Sequence, residues 1–239
     1  MLYLIGLGLN DEKDLTLKAV EIAKKCDCYC ELYTSIWNGS LEGLKELIGK
    51  EIKLLKRKDL EEEQEVFLEK TKQNDVVLFV PGDPLAATTH IDLVYEAKRS
   101  KIPVKIIHNA SIFSSIGETG LQIYKFGKTA TIPMNGKLEN VKSTLKNNKK
   151  LGLHTLLLLD IDRENNIDMA VSEAVKMLFK AKLIKDYDEI VVFSKVGEES
   201  KIYYNIAKDF LNKRIDLPAV LIIPGKLHFR EKDFLELFQ

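Results

Sequence analysis

Asp83 is the only charged residue in Pro81-Gly82-Asp83-Pro84, which directly follows the apolar run Val76–Val80. That run reads as a fully buried parallel strand. Pro81 ends it for want of an N–H, and Gly82 permits a positive φ or the close approach of a ligand to bare backbone. Asp83 is thereby set at the carboxyl end of a parallel strand, where ligands of open α/β sheets bind. An ordinary turn carrying a solubilising aspartate fits the same spacing. A second polar cluster, His108 to Ser115, follows the strand-like Val104–Ile107. Serines at a helix start leave backbone N–H groups that suit a carboxylate, although N-capping by Ser111 explains them equally well. A third is Gly6-Leu7-Gly8-Leu9-Asn10-Asp11. Here Asp11 replaces the third glycine of a dinucleotide fingerprint, so a pyrophosphate would meet a carboxylate. We read a ligand-approach turn that is not a dinucleotide site, which also weakens Glu31 as a ribose-binding acid. His90, His108, His154 and His228 are each better explained as structural or hydrogen-bonded histidines than as catalytic ones. Cys26, Cys28 and Cys30 share one face of a strand, a spacing that suits neither disulfides nor a metal knuckle, so buried thiols are expected.

The elements that must position these groups follow a βα rhythm. Strands are expected at Leu2–Ile5, around the cysteines to Glu31, and at 52–55, 76–80 and 104–107. Asp14 or Thr16 starts one helix, and Thr89 with Asp92 forms a capping box for another. Asp59 to Lys72 reads as one solvated helix. The rhythm breaks near Phe126 to Pro133, which sets expected domains of 1–130, with a mostly parallel sheet, and 131–239, with a mixed sheet. In the second, Lys137 to Lys150 is an exposed helix and Asp168 opens another. Strands lie at 155–159, 190–193 and 219–223, and Ile202 to Leu211 is amphipathic.

A chain of 239 residues has ample core, and 45% apolar with 30% charged residues is ordinary for a globular protein. Zero net charge offers no broad electrostatic footprint for nucleic acid or anionic membrane. The apolar runs are far too short to span a bilayer. No basic region precedes the first strand and acidic Asp11 and Glu12 follow it, so we expect no signal peptide and a cytoplasmic protein.

Several blocks together resemble the diphthine synthases of the tetrapyrrole methylase class. They are Tyr3 to Leu9, Pro81 to His90, His108 to Ile112, Gly120 to Gly127, Gly152 to Leu156 and Ile223 to His228. The Pro-Gly-Asp-Pro turn alone would indicate only the class; its Ala-Thr-Thr-His extension with the later blocks is more specific. The His-Asn-Ala-Ser-Ile and Gly-Leu-Gln blocks look closer to eukaryotic than to archaeal members.

The resemblance implies an α/β fold of two domains with the cofactor cleft between them, usually as a homodimer. It implies a methyltransferase using S-adenosylmethionine and releasing S-adenosylhomocysteine. The substrate would be the 3-amino-3-carboxypropyl-histidine of translation elongation factor two, carried in four transfers to diphthine methyl ester. Alternatives are archaeal-type trimethylation to diphthine, a tetrapyrrole or ribosomal RNA methyltransferase of the same class, or a non-catalytic module retaining the fold. Carried over by position, cofactor contacts fall on Leu9, Asp83, Ala86, Ser111, Ile112, Leu159, Val196 and Ala219. Asp83 would accept from a ribose hydroxyl or the methionine ammonium. No catalytic side chain is assigned. A sulfonium is already activated, so neither a metal nor a dedicated base is expected, and catalysis would rest on alignment and exclusion of water. Two departures stand out. Ala219 replaces a histidine common in relatives, and the segment between Pro133 and Leu151 is shorter and lacks their Trp- and Tyr-bearing stretch.

Overall fold

The computed structural model describes residues 1–163 and 165–239. The chain divides into two compact units, Met1–Phe113 and Ser114–Gln239. The expected boundary at 130/131 would pass through a strand of the second unit's sheet.

The first unit runs β1 (Leu2–Gly6), α1 (Leu17–Ala23), β2 (Asp27–Glu31), α2 (Leu41–Ile48), β3 (Ile52–Leu55), α3 (Arg57–Glu61), α4 (Gln64–Glu69), β4 (Val76–Val80), α5 (His90–Arg99), β5 (Val104–Ile107) and the first turn of α6 (Ile112–Ser115). Its sheet is parallel throughout, in the order β3-β2-β4-β1-β5. Alternate residues of the central strands feed opposite cores. Leu2, Leu4, Val76, Leu78 and Val80 pack on one face. Ile5, Val77 and Phe79 pack on the other, with Cys26, Cys28 and Cys30. That two-sided burial is why these strands read as continuous apolar runs. The three thiols are free and buried, and desolvation pushes Cys28 up to about 11.

The second unit comprises β6 (Ala130–Ile132), α7 (Glu139–Lys150), β7 (Thr155–Leu159), the hairpin strands β8 (Ile161–Asp162) and β9 (Ile167–Asp168), α8 (Val171–Lys180), β10 (Glu189–Ser194), β11 (Lys201–Ile206), β12 (Ala219–Ile223) and α9 (Phe229–Leu235). Its main sheet is mixed, in the order β11-β10-β12-β7-β6, with only β6 and β7 parallel. Val141 of α7 and Val171, Ala174, Val175 and Leu178 of α8 cover one face of it.

Three local expectations are corrected. Asp59 to Lys72 is not one helix: α3 and α4 break at Glu63, whose backbone is non-helical, and both bury apolar residues (Leu60; Phe67 and Leu68). Ile202 to Leu211 is strand β11 followed by a 3-10 turn that buries Ala207 and Phe210. Thr89 does not cap α5 with its side chain, because its hydroxyl donates to Glu61 instead, at 2.9 Å. Thr16, by contrast, caps α1 by accepting from the Ala19 N–H.

Candidate functional site

The parallel sheet of the first unit brings the ends of β1, β4 and β5 to one edge, since β1 lies between the other two. Gly8 and Gly82 exchange two backbone hydrogen bonds there, N–H to O at 3.2 and 2.8 Å. Both glycines have positive φ, +84° and +67°. A Cβ on Gly6 would stand 2.4 Å from the Gly82 carbonyl oxygen and 2.8 Å from Asn109 Cβ, so the loops meet through bare backbone. Gly82 differs. A Cβ there would make only ordinary contact, with Ser111 Cβ at 3.8 Å and the Ala110 carbonyl oxygen at 3.9 Å, so the positive φ rather than crowding is what favours glycine. Ala87, in the same loop, holds φ +59°, a conformation that costs a side-chain-bearing residue about 1 kcal/mol or more.

Side chains lace these loops together. Asp83 accepts from Leu85 N–H at 3.0 Å through Oδ1. Through Oδ2 it meets His108 Nδ1 at 2.7 Å and the Asn109 N–H at 3.3 Å. Asn109 Nδ2 donates to the carbonyls of Gly6 and Asp14, both at 3.0 Å. Asp14 Oδ2 accepts from the N–H groups of Leu9 and Asn10. Asp83 therefore builds the turn as well as facing the edge. Asn109 and Asp14 are organisers that motif reading missed. Their signal is present, as an aspartate a few residues past a Gly-x-Gly turn and an asparagine at a strand end are both disposed to bond local backbone.

Of the expected contacts, Leu9, Asp83, Ala86, Ser111 and Ile112 thus come together on the loops after β1, β4 and β5. Leu9 has its N–H committed to Asp14, and the Ala86 N–H is committed to the Asp83 carbonyl. Leu159, Val196 and Ala219 belong to the second unit. Val220 pairs with Leu158 and Ala219 with Ser194, so Leu159, Ala219 and Ser194 form one row across three adjacent strands, with Val196 two residues beyond. Leu159, Val196 and Ala219 are apolar and nearly buried, at 9%, 7% and 9% exposure, and Leu159 and Ala219 belong to the packed core of this unit. Glu31 does not face the edge as a ribose acid would: its buried carboxylate binds the N–H groups of Tyr33 and Thr34.

Three of the four histidines make local hydrogen bonds. His108 is on Asp83, and His228 caps α9, accepting from Arg230 N–H. His90 is buried at the start of α5. His154 accepts from the Gly225 N–H through Nδ1 at 2.9 Å, which makes Nε2 the protonated nitrogen that donates to Glu231 at 3.1 Å. Glu231 also accepts from Gln122 N–H, His228 N–H and Lys125 Nζ. Burial pushes its carboxyl up, but those donors outweigh it and bring it down to about 2. Burial lowers the His154 pKa, as its role of neutral acceptor requires. Among the described residues, no helix is long and apolar enough to cross a membrane.

The family model of tetrapyrrole (corrin/porphyrin) methylases matches residues 1–207. Fold and strand-end loops define that class, and the chain belongs to the tetrapyrrole methylase family, within it to the diphthine synthases. The diphthine synthase of Methanocaldococcus jannaschii is 42% identical, over 99% of this chain and 98% of the relative. That of Methanococcus aeolicus is 41% identical, over 99% and 97%. A crystal structure of diphthine synthase matches with a TM-score of 0.93 at 34% identity, covering 100% of this chain and 96% of that one. The chain is accordingly an S-adenosylmethionine-dependent methyltransferase.

Proposed function

We propose that this enzyme methylates the 3-amino-3-carboxypropyl-histidine of translation elongation factor two, with cofactor contacts from Leu9, Asp83, Ala86, Ser111, Ile112, Leu159, Val196 and Ala219. The observation that carries this reading is the Gly82 turn, joined to Gly8 by two backbone hydrogen bonds with Asp83 tied to His108 and Asn109 beside it, on a chain that parallels diphthine synthases along its whole length. Backbone bare of Cβ, a neighbouring carboxylate and apolar Leu9 and Ala86 fit a nucleoside bearing an amino-acid tail. When bound, S-adenosylmethionine supplies an electrophilic methyl group. The chain's own part is positional. The loops are hydrogen-bonded among themselves, and that bonding fixes the backbone that would meet the cofactor. Asp83 offers negative charge to an ammonium or a hydroxyl, and the apolar contacts keep water from the sulfonium. Within the same proposal the enzyme is a cytoplasmic homodimer.

Blocks of eukaryotic type favour four transfers, ending in the methyl ester. The 41–42% identity to methanogen enzymes favours the second reading, three transfers ending at the trimethylammonium. Mass spectrometry of modified elongation factor after incubation with enzyme and S-adenosylmethionine decides between them. A gain of four or three methyl groups selects the reading, and no gain overturns both. Replacing Asp83 by Ala removes the carboxylate and unties His108 and Asn109. Calorimetry should show S-adenosylmethionine binding weakened at least about tenfold, the loss of one charge-assisted bond of about 1.5–3 kcal/mol. Unchanged affinity would remove Asp83 from the site.

A further inference from the structure

The loop after β2, residues 32–39, leaves the same edge of the parallel sheet as the loops after β1, β4 and β5, yet none of the expected cofactor contacts falls on it. In the order β3-β2-β4-β1-β5 the end of β2 is two strand spacings from the end of β1, about 10 Å, with β4 between them. The loop reaches across that gap. Asn38 N–H donates to the Asn10 carbonyl and Asn38 Nδ2 donates to Asn10 Oδ1, both at 3.0 Å. Asn10 directly follows Leu9, and Asp14 Oδ2 accepts from the N–H groups of both, at 2.9 and 2.8 Å. Asn10 is thus gripped twice, by Asp14 from its own loop and by Asn38 from 28 residues away.

The loop that delivers Asn38 is itself anchored along its length. At its start the buried Glu31 carboxylate accepts from the N–H groups of Tyr33 and Thr34, at 2.9 and 3.1 Å, and from the Thr34 hydroxyl. Just past its end the Ser40 hydroxyl oxygen accepts from Gly43 N–H at 2.9 Å and caps α2. Between them Trp37 packs against the core that holds Ile5, Leu7, Leu15 and Leu44. A Cβ on Gly39 would stand 2.3 Å from Trp37 Cζ2, so the indole lies directly on the Gly39 backbone. Asn38 sits between these two residues, and its backbone has little room to drift.

We propose that Asn38 is a positioning residue for the cofactor, bracing the β1 loop at Leu9 through its paired hydrogen bonds to Asn10. The proposal rests on the reading that Leu9 meets S-adenosylmethionine. With the Leu9 N–H committed to Asp14, Leu9 has its carbonyl and side chain to offer a ligand. The carbonyl belongs to the Leu9–Asn10 peptide, whose plane is set by Asp14 on the Asn10 N–H and by Asn38 on the next carbonyl and the Asn10 side chain. The Gly8–Gly82 bridge and Asn109 already join the loops after β1, β4 and β5, and Asn38 adds the loop after β2.

The test is a double-mutant cycle of Asn38→Ala and Asn10→Ala, read by hydrogen exchange of the Leu9 and Asn10 amides in the ligand-free protein and by S-adenosylmethionine affinity in calorimetry. Each single variant should lower protection and weaken binding about three- to tenfold, the range of one net hydrogen bond. The double variant should lose no more than the worse of the two, since one pair carries both effects. Emission of Trp37, the chain's only tryptophan, should stay as in wild type and show that the loop remains packed. Fully additive losses, or affinities all within about twofold of wild type, overturn the positioning role, even if protection falls. Should the variants fail to fold, wild-type exchange decides. Saturating S-adenosylmethionine should raise protection of the Asn38 amide together with Leu9 and Asn10, and an Asn38 amide indifferent to the ligand overturns the proposal. Lost Leu9 and Asn10 protection in a protein whose wild type binds no S-adenosylmethionine would leave the brace standing and remove the cofactor reading instead.

Discussion

Truncating Glu231 to Ala should lower the thermal unfolding midpoint at neutral pH by roughly 10 °C or more. The carboxylate is 1% exposed and gathers donors from four places: Gln122 N–H, His228 N–H, His154 Nε2 and Lys125 Nζ. It ties α9 to the loop before β6 and to the start of β7. Removing it leaves a buried imidazole and two backbone N–H groups unmet beside a lysine ammonium, a defect of about 3–5 kcal/mol. For a chain of this size each kcal/mol moves the midpoint by about 2–4 °C. Glu231→Gln retains one acceptor oxygen and should lose less. The pH dependence has a fixed sign. With a folded-state pKa of about 2 against the ordinary 4.5, the contribution of Glu231 is complete above 4.5 and drains away as pH falls towards 2. His154, lowered from 6.5, acts in the same direction, because protonating Nδ1 would break its bond from Gly225. The gap between wild type and Glu231→Ala should therefore narrow on acidification. A midpoint within about 3 °C of wild type at neutral pH, or a gap that widens in acid, would refute this account.

Gly6→Ala should weaken S-adenosylmethionine binding by about 10²-fold, through displacement rather than loss of a contact. Gly6 is not at a positive φ, so its backbone tolerates alanine, and only space forbids it. The added methyl would lie 2.4 Å from the Gly82 carbonyl oxygen, a backbone atom with no rotamer to escape into, and 2.8 Å from Asn109 Cβ. Either the Gly8–Gly82 bridge opens or Asn109 withdraws from the Gly6 and Asp14 carbonyls. Both outcomes move the loops carrying Leu9, Asp83 and Ser111. Overpacking costs typically about 1–3 kcal/mol, so the variant should fold and its affinity can be measured by calorimetry. An affinity within about threefold of wild type would mean that this loop contact does not shape the cofactor site.

Much of the local structure is legible from residue pattern because one-dimensional physics produces it. Val76 to Val80 can be little other than a strand buried on both faces, and Pro81-Gly82 can only end it. The failures have the same kind of cause. Ile202, Tyr204 and Ile206 alternate in period two, but Ala207 and Phe210 extend the apolar spacing into one that also suits a helix. Thr89 carries a cap signal, yet Glu61 from α3 takes its hydroxyl. Glu63 interrupts what charge pattern alone makes a continuous helix, because Leu60 and the Phe67–Leu68 pair must both reach the core.

By itself, then, the order of residues determines the strand-end turns, the glycines that let backbones touch, and enough motif to resemble a family. These depend on neighbours in the chain, and their information is local. Only the tertiary structure decides that Asn109 reaches back to Gly6 and Asp14, that Glu231 rather than an open surface receives His154, and that Glu31 turns inward towards His90. Those partners stand 59 to 103 residues apart. Whether a polar side chain meets solvent, ligand or another buried group is settled by which loops the sheet order places side by side, and no spacing along the chain encodes that.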